Sequence, residues 1–437
     1  MPATDLLLDL AVGKSRRDTN WKNTQILWPD LVKKLSQTHR TAEKLVEYAA
    51  ATKSRQDEIK DIGGFVGGYL ASGRRKKGSV IHRQVITLDA DFAKPDTWDA
   101  FELLVGCEAC CYSTHKHKPD APRLRFVIPL DRPVAADEYE AISRKLASYI
   151  GIDLFDLSTF QDYRLMYWPS TSKDGEFFFR HCEGEVLSAD EVLASYTGPG
   201  GWRDTTAWAY SAKVQSHVTA LAVKQGDPLE KPGVVGAFCR SYSIEDALEV
   251  LLADAYEPTD QDGRYTFKGG STFGGVVTYD GKFAYSHHAT DLAGGKLCNA
   301  FDLVRLHKFG LMDDEAEQGT PPVKLPSYMA MLDFARKDPE TARRIVQERV
   351  TDVASDFAEY VGSEAEDEGE ETATKAGRDP RTLLHADPSK LVELPAFDPD
   401  WMAKLEVNKK GQISNSIDNI LLILLNDPYF RGRIAYD

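Results

Sequence analysis

Two carboxylates at the end of a predicted buried strand are placed where they could bind a metal ion. In "VITLDADFAKPDTWDAF" (85–101), an apolar run at 85–88 leads directly into Asp89 and Asp91. Residues two apart on a strand point to the same face, so these side chains can bind one divalent cation together. Oxygen ligands of this kind suit Mg²⁺ or Mn²⁺. Aspartate is also common in turns and caps at strand ends, so this pair alone leaves both interpretations open.

The next apolar segment brings a histidine and several cations. The strand predicted within "CCYSTHKHKP" (110–119) leads into Ser113 and His115. Four cations follow closely: Lys116, Lys118, Arg123 and Arg125. Beside a carboxylate pair, such a segment predicts a metal on one side of a pocket and anion-binding groups on the other, the outline of a triphosphate site. The alternative is an exposed basic loop.

A third segment supplies further carboxylates. "IGIDLFDLSTFQDYRLMYWPS" (150–170) contains Asp153, Asp156 and Asp162, followed by Arg164. A two-metal phosphoryl-transfer site needs such a third carboxylate, because two ions must share ligands and leave positions for substrate. The spacing does not choose among the three aspartates.

The elements that must position these residues alternate along the chain. Residues 18–52 show helical apolar spacing, with Thr41 as an N-cap, and predict two helices. From 62 to 170, strands alternate with helices near 95–104 and at 136–150. Tight connections between paired strands favour a mixed or antiparallel sheet over a parallel one. The fold class is therefore α+β.

Changes in composition predict five regions. Gly, Pro and polar clusters indicate a boundary after the first α+β unit, and an acidic block at 363–371 reads as a solvated linker. The predicted regions are a catalytic domain at 1–196, a linker at 197–232, an accessory α+β domain at 233–319, a helical segment with acidic linker at 320–385, and a further domain beginning at 386–437.

Composition restricts the class of protein. The chain has 437 residues, six cysteines and a net charge of −15, with no apolar run long enough to span a membrane. No secretory signal pattern opens it, so a cytoplasmic location with reduced cysteines is expected. The negative charge argues against nucleic acid in general, but the basic stretches 73–83 and 115–125 flank the Asp89/Asp91 strand. Local charge therefore allows a nucleic-acid partner.

The order D-x-D, S-x-H, then hydrophobic-Asp followed by R-L-x-Y-x-P resembles the archaeo-eukaryotic primase superfamily, specifically the primase-polymerase domains of phage and prophage replication proteins. The resemblance covers roughly residues 18–185. It implies a mixed or antiparallel-sheet core with an RRM-like half, a smaller α+β accessory domain and a helical C-terminal segment. By motif, the metal ligands fall on Asp89, Asp91 and Asp156, and the nucleotide contacts on Ser113 and His115.

The choice of Asp156 comes from the motif form. Phe155-Asp156 has the hydrophobic-Asp pattern and the expected distance to Arg164, whereas Asp153, in "GID", is the close competitor and Asp162 comes third.

The implied activity is template-directed nucleotidyl transfer with Mg²⁺ or Mn²⁺, using NTP or dNTP on single-stranded DNA. The triphosphate would be held by His115 with Lys116, Lys118, Arg123, Arg125 and Arg164. The basic stretch Arg74, Arg75, Lys76 and Lys77 would follow the template backbone. A phage- or prophage-encoded protein of a bacterial host is implied. The tail from 386 resembles the start of a virulence-associated E type helicase domain.

Three rival interpretations remain. His115-Lys116-His117 is similar to the His pair of rolling-circle initiators, which nick DNA with a Tyr nucleophile. A primase-like fold without activity would be a DNA-binding module. The segment 285–310 resembles a primase zinc ribbon, but it lacks the paired cysteines and offers His287, His288 and Cys298 instead, so a metal-free hairpin is preferred over zinc. No P-loop is found, since Arg74-Arg75 stands where Lys-Ser/Thr is required.

Overall fold

The computed structural model describes residues 3–316, 320–348, 397–398, 400–407, 413–414 and 416–427. Packing divides the chain into two compact units. The first comprises Met1–Gln225 and Leu248–Cys298, and the second comprises Gly226–Ala247 and the chain from Asn299 onward. The acidic block 363–371 and much of the predicted domain at 386–437 lie outside the described residues.

The first unit is built largely from antiparallel strands. Their bounds are β1 (Leu7–Gly13), β2 (Lys22–Leu27), β3 (His39–Arg40), β4 (Gly64–Val66), β5 (Gly68–Leu70), β6 (Val80–Ala90), β7 (Ala109–Ser113), β8 (Leu124–Val134), β9 (Met166–Tyr167), β10 (Ser170–Thr171), β11 (Phe179–Cys182), β12 (Tyr256–Pro258), β13 (Arg264–Phe267), β14 (Val276–Tyr279), β15 (Phe283–Ser286) and β16 (Leu297–Cys298). Its helices are α1 (Trp28–Leu35), α2 (Leu45–Ala50), α3 (Lys53–Ile59), α4 (Thr97–Leu104), α5 (Ala136–Ile150), α6 (Ala189–Ala194) and α7 (Lys213–Gln225).

A five-stranded sheet in the order β11-β7-β8-β6-β5 forms the centre of this unit. All its neighbouring strands are antiparallel. The register of β6 and β8 sets Asp89 opposite Arg125. Because the two strands are long and buried, that pairing is fixed by the core and not by the charges themselves.

Strand β6 separates two apolar clusters. Ile86 and Leu88 pack with Phe126 on one face, whereas Val85 packs with Val127 on the other. A second sheet, β2-β1-β4-β9, contributes to the latter cluster, and β3 pairs with β10 in parallel. The strands that end near the carboxylates are thus buried on both faces, which holds their ends in place.

The remaining strands, β12 to β16, form an antiparallel meander, and we call these strands together with their connecting loops (256–298) the accessory sheet. Helix α7 packs on it through Val218, Phe283 and Leu297. This sheet belongs to the first unit. The region 197–232, expected to be a linker, therefore includes a helix, and the region 233–319 contributes to both units.

The second unit is helical in its described part. It contains α8 (Gly233–Ser241), α9 (Ile244–Asp246), α10 (Ala300–Phe309), α11 (Pro326–Lys337), α12 (339–348) and α13 (Ile417–Asn426). A π-helical turn follows α9. Phe301 of α10 packs against Phe238 of α8 and Tyr328 of α11. Across the described residues of both units, no helix combines the length and apolar character that crossing a bilayer requires.

The expected α+β class with antiparallel sheets is confirmed. Two local predictions in 18–52 are wrong. Residues 22–27 form β2 and not the start of a helix, and α2 begins at Leu45 after Lys44, not after Thr41. Residues 22–27 pair with β1, and the N–H of Thr41 donates to the Thr171 carbonyl at 2.9 Å beside the pairing of β3 with β10, some 130 residues further along the chain.

Candidate active site

Asp89 and Asp156 are joined through their backbones. The Asp156 N–H donates to the Asp89 carbonyl at 2.9 Å. The Asp89 N–H donates to Thr159 Oγ1 at 2.7 Å. Asp89 lies near the end of β6 and is buried, while Asp156 caps a short 3₁₀ turn at 157–160 and is one-third exposed. The end of β6 and the start of this turn therefore form one rigid corner.

Asp91 completes a group of three carboxylates at this corner. Burial raises the pKa of Asp91, and the negative charges of Asp89 and Asp156 raise it further, while Arg123 lowers it. The Asp91 carboxylate therefore lies close enough to Asp89 and Asp156 to be affected by the charge of both. The structure thus brings together the three aspartates that the motif selected.

Three arginines neutralise the carboxylates. Arg123 Nη1 donates to Asp91 Oδ1 at 3.0 Å. Arg125 Nε lies 3.6 Å from Asp89 Oδ1. Arg164 Nη2 lies 3.8 Å from Asp89 Oδ2 and 3.7 Å from Asp156 Oδ1.

Arg125 differs from the other two because it is buried. Burial opposes its charge, but Asp89 outweighs this and the pKa of Arg125 is raised. Its Nη1 donates to the Tyr167 carbonyl at 3.3 Å. A permanently charged guanidinium is thereby held inside the site.

The two competing aspartates are placed elsewhere. The Asp153 carboxylate accepts hydrogen bonds from Ser211 Oγ at 2.5 Å and from the Ala212 N–H at 3.1 Å, just before α7. Asp162 is buried on the opposite side of its loop, where burial raises its pKa to about 6. Neither carboxylate faces Asp89, so the geometry favours Asp156 as the third member.

Ser113 and His115 are both buried, with partners inside the protein. Ser113 Oγ accepts the N–H of Phe178 at 2.9 Å. His115 Nδ1 lies 3.0 Å from Ser170 Oγ, and its Nε2 lies 3.2 Å from Glu43 Oε1. Burial lowers the pKa of His115, although Glu43 raises it. The imidazole is therefore oriented by a serine and a glutamate, and the motif alone did not indicate either.

Of the two lysines after His115, Lys116 belongs to the charged region. Burial lowers the pKa of Lys116, as do Lys53 and Arg123, while Asp91 raises it. Lys118 lies in an exposed turn and is not drawn into this cluster.

Sequence reasoning missed a group of cations on the N-terminal elements. Arg16, Lys53 and Lys60 surround Asp57 at 2.9, 3.4 and 2.8 Å. The pKa of Asp57 falls to about 2, because these cations outweigh its burial. Lys60 also lies 5.3 Å from the centroid of the Tyr167 ring, close to Arg125. In the sequence, the i,i+4 and i,i+3 spacing of Lys53 and Lys60 to Asp57 is typical of an ordinary helix surface, and Arg16 lies far from them along the chain, so only the fold reveals the group.

The basic stretch at 74–77 does not form the uniform exposed strip that template binding was expected to use. Arg75 donates to the carbonyls of Tyr163 and Arg16 at 3.2 and 3.4 Å. Lys77 Nζ lies 3.5 Å from the His288 carbonyl on the accessory sheet. Arg74 and Lys76 also have interactions within the protein. These hydrogen bonds hold the cationic groups of Arg75 and Lys77 against the protein, which argues against the expected role of the two residues in template binding.

Neither His288 of the segment 285–310 nor Cys107, the first cysteine of the C-x-x-C stretch 107–110, is an open metal ligand. Both ring nitrogens of His288 are engaged, Nδ1 with Thr272 Oγ1 at 2.8 Å and Nε2 with the N–H groups of Phe267 and Gly275. Cys107 is buried in the core, and burial raises the pKa of its thiol to about 12.

The carboxylate corner offers the donor chemistry of a Mg²⁺ or Mn²⁺ site. Asp89 Oδ1 and Arg125 Nε are both buried without a hydrogen-bond partner, and they face each other at 3.6 Å. An unsatisfied buried carboxylate oxygen fits a cation ligand. Within the described residues, however, no three acidic, His or Cys side chains already enclose an ion. An ion would therefore compete with Arg123 and Arg164 for these oxygens.

Comparison with known protein families gives a match for most of the first unit. Residues 3–211, slightly less than half of the chain, match the VapE N-terminal domain. This match confirms the resemblance to phage replication proteins of the virulence-associated E type and supports a role in replication.

A solved structure, the archaeo-eukaryotic primase domain of the primase-polymerase from cyanophage S-2L, matches with 12% identity over 44% of this chain and 88% of that chain, at a TM-score of 0.25. A likeness at that TM-score fixes neither fold nor site. No match was found among curated proteins.

Proposed function

We propose that the first unit is a primase-polymerase that catalyses template-directed nucleotidyl transfer on single-stranded DNA. The observation that carries the proposal is the convergence of Asp89, Asp91 and Asp156 at one corner of the central sheet, interleaved with arginines. Carboxylates for metal beside cations for phosphate are what phosphoryl transfer requires.

The acidic residues would hold the metal. Asp89, Asp91 and Asp156 supply oxygen ligands, and a bound Mg²⁺ or Mn²⁺ would lower the pKa of the attacking 3′-hydroxyl and neutralise the leaving pyrophosphate. The backbone of Asp89 is fixed by Thr159, whose hydroxyl accepts its N–H, so the residue is held in place at the end of β6.

The cations would bind the nucleotide. Arg164 and Arg123 lie on the exposed side of the carboxylates, within reach of a triphosphate. Arg125 is buried behind them and would stabilise negative charge without leaving its place. Lys60 and Lys116 extend the positive region. Guanidinium groups suit this task because they bind phosphate oxygens in pairs.

His115 would act as an oriented contact for the nucleotide. Ser170 and Glu43 hold its ring from both nitrogens, and it packs on Tyr48 at 4.3 Å. The DNA template, the NTP or dNTP substrate, the helicase partner and a cytoplasmic location all remain predictions.

The nicking alternative gains no support from the geometry. A rolling-circle site needs both histidines on one metal, yet Glu43 and Ser170 flank His115, and His117 Nδ1 accepts the N–H of Arg123 at 3.2 Å.

The test is nucleotide incorporation on primed and unprimed single-stranded DNA with Mg²⁺ or Mn²⁺. Asp89→Ala/Asp91→Ala should abolish incorporation, while Asp96→Ala/Asp99→Ala, which removes the same charge at exposed positions near α4, should keep it. Cleavage with covalent attachment to a tyrosine would instead indicate nicking. Binding of DNA without either activity would indicate an inactive module.

A further inference from the structure

The segment 156–164, which we call the corner loop, faces two parts of the first unit. Its ends carry Asp156 and Arg164, which lie at the carboxylate corner. Its middle, including Phe160 and Asp162, is buried on the other side. A contact that shifts the middle of the corner loop can therefore also shift its two ends, which carry Asp156 and Arg164.

A cavity of about 50 Å³ lies against that buried side. Residues 160–163 of the corner loop and Glu140 and Arg144 of α5 form part of its wall. Residues 285–289 of the accessory sheet form another part, and Lys77 also lines it. The accessory sheet and the corner loop thus share a small space whose walls are mainly polar and charged.

Lys77 links the two sides of this cavity electrostatically. Its Nζ lies 3.5 Å from the His288 carbonyl of the sheet. Burial lowers the pKa of Lys77 to about 8, while Asp291 of the sheet, Glu140 of α5 and Asp162 of the loop favour its charged form. One partly buried cation therefore interacts with acids from all three elements.

A stack of rings and a guanidinium forms a second link. Arg144 lies over Phe160 of the corner loop at 4.5 Å and over Tyr210 at 4.6 Å. The Tyr210 ring contacts His287 of the accessory sheet at 4.6 Å. Glu140 pairs with Arg144 at 2.7 Å and fixes it. The loop and the sheet are therefore connected through packing as well as charge.

The sheet leaves little room around Lys77. A Cβ at Gly294 would collide with Lys77 Nζ and with the His288 carbonyl. The absence of a side chain at Gly294 leaves space for the ammonium group of Lys77. A substitution at Gly294 would therefore disturb this contact from the side of the accessory sheet.

We propose that the accessory sheet positions the corner loop through Lys77, and so sets the placement of Asp156 and Arg164. Lys77 is on this view a positioning residue that touches no substrate. The role of the corner loop in catalysis rests on the proposed function, whereas the contact of the accessory sheet with the corner loop through Lys77 does not.

The experiment compares three full-length variants by amide hydrogen exchange and by nucleotide incorporation. Lys77→Met removes the charge and keeps most of the stem, and Gly294→Ala obstructs the same contact from the sheet. Lys22→Met, at an exposed position on β2, is the matched control. The amides to follow are those of Thr159 and Arg164, which donate within the loop to Asp156 and Gln161.

We expect exchange in the corner loop to accelerate about tenfold in Lys77→Met and Gly294→Ala but not in Lys22→Met, as for a coupling of moderate strength. Incorporation should fall about tenfold through kcat, with a smaller change in KM, because positioned groups move while the other phosphate-binding cations remain.

Two results would overturn the proposal: unchanged exchange of the loop in both variants, or acceleration spread evenly over the first unit, which would indicate general destabilisation. Faster local exchange in a protein that incorporates no nucleotide even as wild type would support the link and reject the polymerase function.

Discussion

Asp153 and Asp156 lie three residues apart, yet their carboxylates serve different purposes. Asp153 accepts bonds from Ser211 and Ala212 and so holds the chain just before α7. Asp156 shares the corner with Asp89, and a single arginine, Arg164, spans both. The partners of the two residues thus distinguish a structural carboxylate, Asp153, from a proposed metal ligand, Asp156.

The first prediction uses this pair as mutual controls. Asp156→Asn should reduce nucleotide incorporation at least a hundredfold with little loss of stability, because the neutral amide cannot serve as an anionic metal ligand. Asp153→Asn should keep most of the activity and lower the free energy of unfolding by about 1 kcal/mol, since it weakens bonds to a charged acceptor. Steady-state rates and urea unfolding would check both. Equal activity in the two variants would contradict the assignment.

The second prediction concerns the histidine. Glu43 lies 3.2 Å from His115 Nε2 and favours the imidazolium form. Glu43→Gln should therefore lower the pKa of His115 further below its ordinary value, which an NMR titration of the ring protons would show. A matched change of Glu47, exposed on α2, should leave that titration unchanged. A rise of the His115 pKa in Glu43→Gln would show that the two groups do not interact as the structure indicates.

At the scale of elements, Thr159 connects the corner loop to β6. Its hydroxyl accepts the Asp89 N–H at 2.7 Å and donates to the Thr87 carbonyl at 3.3 Å, and the residue is fully buried. One side chain thereby satisfies backbone groups on either side of Leu88.

The third prediction follows from that bridge. Thr159→Val keeps the shape but leaves the Asp89 N–H without a partner, at a cost of about 1–3 kcal/mol in the free energy of unfolding. Thr159→Ser keeps the hydroxyl and loses one methyl group, which should cost about 1 kcal/mol. Denaturant unfolding would measure both. If serine proved as harmful to incorporation as valine, the hydroxyl would not be what places Asp89.

Local sequence signals were enough for several elements. Helix α5 occupies the predicted 136–150, because its amphipathic pattern ends at Gly151, which adopts a positive φ. The buried runs of β6 and β8 were equally clear, and with them the carboxylate pair.

Contacts between distant segments were not predictable in this way. Strand β2 was taken for a helix, because Leu27, Leu31 and Leu35 happen to share helical spacing although β1 captures the first of them. Lys77 was expected to follow the template backbone, because the sequence does not show its contact with His288, which is 211 residues away. The sequence shows that Lys77 is basic, but it does not show which backbone carbonyl its ammonium group contacts.

At the scale of the whole molecule, the first unit extends beyond the matched segment. Residues 3–211 match the family, but the accessory sheet at 256–298 contacts the same body through Asp137, Thr205 and Tyr210. These contacts would be missing from a protein cut at the end of the match.

The fourth prediction tests that extension. A chain ending at Gln225 should melt about 5–15 °C below the same unit in the full protein, because several buried polar and aromatic contacts lose their partners. Calorimetry would measure the difference. An unchanged melting temperature would show that the sheet adds nothing to the stability of the core.

The fifth prediction concerns pH. Burial lowers the pKa of Lys77 to about 8 from an ordinary value of 10.5, so the unfolded chain binds more protons between these values. The free energy of unfolding should therefore rise with pH from about 8 to 10.5 on account of this group. Between pH 8 and 10, wild type should gain about 1–3 kcal/mol relative to Lys77→Met in urea unfolding. Parallel curves for the two proteins would place Lys77 in solvent.

The parallel pairing of β3 with β10 also has a consequence for the order of events during synthesis. Residues 39–40 cannot find their partner until 170–171 have left the ribosome, and β4 likewise waits for β9. Such closures are slow, because a long stretch of chain loses its freedom before any contact compensates. The N-terminal hairpin must then persist beside an incomplete sheet. A nascent chain of about 150 residues thus carries only two of the three proposed metal ligands, and we expect its unpaired strand edges to make it more prone to aggregation than a protein of local contacts.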